Sequence, residues 1–293
     1  MKRTSLLVLA IAALLPLGAA AHKQWLIPSQ AVVNGGDVWV TFDGAVSNQL
    51  FFPDHVPMRL DNVTATAPDG STIALQNAST GKYRSTFDLR LEQAGTYRIA
   101  NTSAGLSVRW DTPASLAAKA RAEAQGQPAS GPGAPPETRG GFLRNASVED
   151  LATKVPADAR NLQVTQTVGR VETFVTNGAP DTGALAPTGQ GIELAPVTHP
   201  NDLFAGEEAT FRVLVDGQPA AGLEFEIVRG GTRYRNAQED IAATTDSEGL
   251  LRVTWPEPGM YWLETSLEDR RPSVPQATQR RLSYVATLEV LPQ

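Results

Sequence analysis

Three histidines, His22, His55 and His199, are the residues of this chain best suited to chemistry. His22 follows Gly18-Ala19-Ala20-Ala21, which in turn follows a basic start at Lys2-Arg3 and an apolar run from Leu6 to Leu17. That pattern predicts a secretory signal peptide over residues 1–21, too short for a membrane-spanning helix. Cleavage after Ala21 leaves His22 with a free α-amine, and an amine and an imidazole on one residue can chelate a metal together. With His55 as a third nitrogen donor the set is a histidine brace, a T-shaped arrangement suited to Cu(II). A free α-amine titrates near ~8 and must lose its proton to ligate, so binding should weaken in acid. Cleavage one residue earlier removes the chelate.

His55 lies in Phe51-Phe52-Pro53-Asp54-His55-Val56-Pro57, a proline-bounded turn able to present a rigid imidazole. Asp54 is a further candidate, as a metal ligand or as the group that orients the ring. His199, in Pro196-Val197-Thr198-His199-Pro200-Asn201-Asp202, stands at the junction of two sequence blocks. It completes the metal set if the blocks fold onto each other; otherwise it is a hinge residue whose ring bonds a nearby carbonyl.

Composition narrows the alternatives. The chain has no cysteine, which removes disulfides, thiolate metal sites, iron–sulfur clusters and a cysteine nucleophile. Its 25 basic and 31 acidic residues give a charge of −6; losing Lys2 and Arg3 with the leader makes it −8. That balance argues against nucleic acid as a partner. No Gly-x-Ser-x-Gly elbow, phosphate loop or dinucleotide fingerprint occurs. Arg229, Arg233 and Arg235 with Tyr234 make a small basic patch that reads as a solvated hairpin loop. Asp246-Ser247-Glu248-Gly249 reads as a turn, being too poor in ligands for calcium.

The elements that must position the histidines are short strands between turn residues. Val38 to Phe42 runs between Asn34-Gly35-Gly36 and Asp43-Gly44, and Asp69-Gly70 joins runs near Val63 and Ile73 in a hairpin. Tyr83–Leu89, Thr96–Ala100, Leu106–Trp110, Leu162–Val168 and Arg170–Thr176 continue the rhythm. Trp25-Leu26-Ile27-Pro28 predicts an apolar strand that pins the terminus beside His22. Thr112-Pro113 opens a helix to Ala124, residues 126–141 form a mobile Gly/Pro-rich stretch, and Ser147-Val148-Glu149-Asp150 caps a short helix ending near Pro156. A second β-rich block runs from about Ile192 to the end. Ala94-Gly95-Thr96-Tyr97 in the first block parallels Pro258-Gly259-Met260-Tyr261 in the second, and in immunoglobulin-like sandwiches such a tyrosine ties a corner. The expected fold is therefore all-β: two tandem immunoglobulin-like β-sandwiches, over 22–187 and 188–293, with a flexible excursion at 112–141.

Ala21-His22-Lys23-Gln24-Trp25-Leu26-Ile27-Pro28 resembles the mature start of a bacterial periplasmic family of unknown function. The likeness continues through Gly191–Pro196, His199–Leu203, Asp216–Ala220, Thr245–Gly249 and Tyr284–Val290. A NikM-like role, as a periplasmic component of nickel or cobalt uptake, has been attached to that family. The resemblance implies a loose connection with metals and a C-terminal immunoglobulin-like or transthyretin-like module. The resulting expectation is an exported periplasmic protein, without a membrane span in its mature chain, that binds copper or nickel for handling or uptake. Its partner would be a metal-uptake or outer-membrane transport component. Two alternatives stand beside it: a copper-dependent oxidase or oxygenase built on the brace, and a metal-free interaction or adhesion module.

Overall fold

The computed structural model describes residues 22–293; the expected signal peptide lies outside the described residues. Among those residues the strands form three sheets. A five-stranded sheet runs in the order Lys23–Pro28, Val38–Ser47, Ser85–Leu91, Gln76–Thr80, with Val56–Pro57 paired to the second of these. A four-stranded sheet groups Gln218–Pro219, Glu208–Val215, Ile192–Pro196 and Leu250–Thr254. Between them lies a ten-stranded sheet whose central members are Glu224–Arg229, Gly259–Asp269, Gln279–Val290, Arg160–Asn177 and Gly95–Asp111.

Alternation of side chains across this large sheet explains why it serves two cores. Along Gln279–Val290, Leu282, Tyr284, Ala286 and Leu288 pack into the core of the second block with Phe211, Trp255 and Tyr261. Val285 points the other way, into the first block's core with Trp25, Phe42, Phe87 and Tyr97. Val171 and Phe174 divide between the two cores in the same manner. The fold is an all-β sandwich with two main cores, and a third, smaller cluster gathers Leu106, Val108, Trp110, Ala146, Val164 and Ala277. The two sandwiches share a sheet, however, because Arg160–Asn177 and Gln279–Val290 pair in parallel, Arg170 opposite Tyr284. Parallel neighbours need no short turn between them, so no local motif announces the pairing.

Two further departures are of one kind. Thr96–Ala100 and Leu106–Trp110 are parts of a single strand, Gly95–Asp111, and Leu162–Val168 and Arg170–Thr176 belong to Arg160–Asn177. The glycine between the second pair of runs is not a break. A Cβ at Gly169 would lie 2.9 Å from Ser103 Oγ and 3.0 Å from Ser283 Oγ, on the strands to either side. Glycine there marks close approach inside a strand.

Local signals otherwise read through directly. Thr112 caps the helix Pro113–Ala124 and Ser147 caps Val148–Lys154, each with the reciprocal bond of a capping box. Residues between Gly126 and Gly141 carry a short 3-10 turn at Pro136–Thr138, where the buried Thr138 donates to the Pro135 carbonyl. The two Gly-x-Tyr motifs make the same corner. Tyr97 donates its hydroxyl to the Gln93 carbonyl at 2.9 Å, and Tyr261 donates to the Glu257 carbonyl at 2.8 Å. Each reaches four residues upstream.

One ion-pair cluster clamps the end of the Gly259–Asp269/Gln279–Val290 hairpin. Arg280 donates to both carboxylate oxygens of Asp269, at 3.1 and 2.7 Å, and to Asp216 at 2.7 Å. The Arg280 bonds hold the Asp269 carboxyl down, to about 2 from an ordinary 3.8. A lowered carboxyl stabilises the fold above its unfolded value, and that contribution disappears as pH falls through the folded value. After allowance for solvent screening it is worth about 1–2 kcal/mol. Asp269→Asn should therefore lower stability at pH 7 and flatten the acid limb of the unfolding profile between roughly pH 4 and 2. Identical pH profiles for the two proteins would refute that assignment.

Candidate metal centre

The strand register brings two of the three histidines together. Lys23 pairs with Ser47 in the antiparallel ladder, so His22 lies beside the start of the loop that follows Ser47. That loop returns through Gln49 and Phe52, which form an isolated bridge, to His55. The imidazoles of His22 and His55 stack with ring centroids 4.0 Å apart and planes 14° from parallel. Both residues are exposed.

The loop that presents His55 is heavily constrained. Trp25 Nε1 donates to Ser47 Oγ at 2.8 Å, and Ser47 Oγ donates to the Gln49 carbonyl at 2.6 Å. Asp54 Oδ1 accepts from the Asn48 backbone N–H at 2.7 Å, closing the loop across its base. Phe51 holds a left-handed φ of 60°, a conformation that needs support from its surroundings. Its ring meets Trp25 edge-on at 5.8 Å, and a Cβ at Gly230 would come within 2.9 Å of it. Arg233 donates to Gln49 Oε1 through Nε and Nη2, and its guanidinium sits 4.0 Å over the Phe52 ring. The residues read as a solvated basic hairpin thus clasp the His55 loop from the second block.

His22 is anchored from the same side. Lys23 Nζ lies 4.0 Å over the Trp262 ring and donates to Glu226 at 3.0 Å. Trp262 Nε1 donates to the Gln24 carbonyl at 2.8 Å. His22 also lines a small cavity of about 60 Å³ with Gln24, Asn101, Arg170 and Glu264. Burial raises the Glu264 carboxyl above the usual range, against the pull of Lys23. Nothing in the local sequence around Glu264 marks it; only the pairing of Gly259–Asp269 with its neighbours places it there.

The other two candidates are placed differently. Asp54 spends a carboxylate oxygen on the Asn48 backbone N–H, bracing the loop rather than bonding the His55 ring. His199 is not brought to His22 and His55. Its Nδ1 accepts from the Asn201 N–H at 3.1 Å, which leaves the proton on Nε2, 2.9 Å from the Asp181 carbonyl and 3.0 Å from Thr96 Oγ1. Burial holds its pKa below the ordinary histidine value. With both ring nitrogens committed it ties three segments together and has no lone pair left for a metal. Among the described residues no group of three or more His, Asp or Glu side chains could hold a metal ion.

A family profile described as a domain of unknown function, DUF4198, matches residues 19–269. The chain belongs to the DUF4198 family. Comparison with curated proteins finds no match. Among solved structures, the human OSCAR ligand-binding domain is 13% identical, with 92% of this chain and 100% of that one covered, at a TM-score of 0.19. The D0-D1 domain of intimin is 9% identical over 90% of this chain and 97% of its own, also at 0.19. Trypsin-activated alpha-2-macroglobulin from Escherichia coli is 11% identical at 0.22, and this chain covers 16% of it. Scores this low carry no argument about fold detail or function. Among the described residues of this DUF4198 protein, no helix is long and apolar enough to cross a membrane.

Proposed function

We propose that this DUF4198 protein is an exported periplasmic protein that holds a transition-metal ion, copper or nickel, through His22 and His55 for metal handling or uptake. The observation that carries the reading is the stacked, exposed pair of imidazoles at 4.0 Å, formed by residues 33 positions apart on a constrained loop and an anchored strand end. Neutral imidazole is the commonest protein ligand for such ions, and the strand end and the constrained loop hold the two rings close enough that rotation out of the stack turns one nitrogen of each towards a shared ion. The amine of His22 supplies the third nitrogen, which favours copper through tetragonal geometry. A NikM-like place in nickel or cobalt uptake, with an outer-membrane or uptake partner, fits the same donors.

The first test is the intact mass of the protein recovered from the periplasm. A mass corresponding to a chain that starts at His22 is expected, and any other start removes the brace in which His22 supplies both amine and imidazole.

A second reading, a copper-dependent oxidase or oxygenase, draws on one feature. Tyr234, 79% exposed, stands beside Phe52 and Arg233 on the clasp of the His55 loop, an aromatic surface that a substrate could cover. Oxygen consumption by the copper-loaded protein with a reductant separates the two: a carrier shows no turnover above free copper, an oxidase does.

A further inference from the structure

The large sheet carries a second cavity, of about 560 Å³, in the size range of small-molecule sites. Its floor is formed by Val63–Thr66, Gly95–Asp111 and Arg160–Asn177, and its wall by residues 188–192. Register fixes what the floor presents. Thr66 lies opposite Arg98, Thr64 opposite Ala100, and Thr102 opposite Arg170. Alternation puts Arg98, Ala100 and Thr102 on one face of their strand, with the small Ala100 leaving room between longer neighbours.

The lining has a definite chemical character. It contains two guanidinium groups and no carboxylate, several hydroxyls, and no aromatic ring. Without a ring there is no platform for stacking a sugar or a base. Arg170 is already ion-paired behind the lining, so the charge offered to the cavity is that of Arg98, which favours an anion. Arg170 is 8% exposed. Its terminal nitrogens are held by Glu193 Oε1 at 3.2 Å and Thr188 Oγ1 at 3.0 Å, with Glu172 Oε2 at 3.6 Å. Its Nε, buried, has no hydrogen-bond partner. Arg98 is steadied by one bond from Nη1 to the Ala186 carbonyl, at 3.0 Å, and keeps further donors free.

We propose that this cavity binds a small hydroxycarboxylate anion, its carboxylate on Arg98 and its hydroxyls on Thr64, Thr66 and Thr102. The site shares Arg170 with the small cavity beside His22 but uses neither His22 nor His55, and metal binding and anion binding are read by separate titrations.

Calorimetric titration of the metal-free full-length exported protein with tartrate, at low ionic strength, is the test. One saturable site is expected, weakened at least about tenfold by Arg98→Ala. The variant should retain native thermal stability and metal binding. Thr66→Val, which removes only a hydroxyl from the floor, should weaken tartrate by a smaller factor, and it keeps the test alive should Arg98→Ala fail to fold. Inorganic phosphate and a neutral polyol such as glycerol should bind much more weakly than tartrate. Absence of saturable tartrate binding, equal binding by the variants, or phosphate binding as tightly as tartrate would overturn the proposal.

Discussion

Replacing Trp262 by alanine is expected to cost about 3–5 kcal/mol of stability, the range for deleting a large buried aromatic side chain. Trp262 is completely buried, in the core of the first block although it belongs to a strand of the second. Its loss opens a cavity at the seam between the blocks. It also removes the bond from Nε1 to the Gln24 carbonyl and the ring beneath Lys23, two contacts that anchor the strand next to His22. Trp262→Phe should recover most of the packing but not the bond to Gln24, leaving a deficit of about 1 kcal/mol. Denaturant unfolding measures both. If the alanine variant loses less than about 1 kcal/mol, Trp262 is not the seam that the packing makes it.

His55→Ala should leave stability nearly unchanged, because the side chain is exposed, while reducing copper affinity by roughly a hundredfold through loss of one donor of a preorganised set. The contrast between the two variants matters. Trp262 acts through folding and His55 through ligation, so a metal titration and an unfolding curve should respond in opposite order. His199→Ala is the internal control: it should disturb stability, by freeing Thr96, Asp181 and Asn201 from their shared partner, and leave metal affinity as it was.

Much of this was legible before any coordinates. The strand rhythm, both helix caps and the two tyrosine corners follow from short-range patterns, and each is governed by contacts within about four residues. His55 was paired with His22 on chemical grounds, as the third nitrogen of a brace in a chain with three histidines; the register of Lys23 with Ser47 is what brings them together. The shared sheet was not legible. Parallel pairing of Arg160–Asn177 with Gln279–Val290 joins segments more than a hundred residues apart, and nothing local encodes that register. Glu264 beside His22 depends on long-range pairing of the same kind and was hidden with it. Gly169 was misleading in isolation because a glycine admitting its neighbours looks the same as one that turns the chain.

In the proposed site the α-amine of His22 completes a metal centre that His55 shares. The most direct test is Cu(II) titration of two purified forms that both begin at His22, one with its α-amine free and one with it acetylated. The free-amine form should bind one equivalent, with nitrogen hyperfine structure in its EPR spectrum from three donors, and the acetylated form should bind roughly a hundredfold more weakly at the same folded stability. Equal affinity and identical spectra for the two forms would contradict the account.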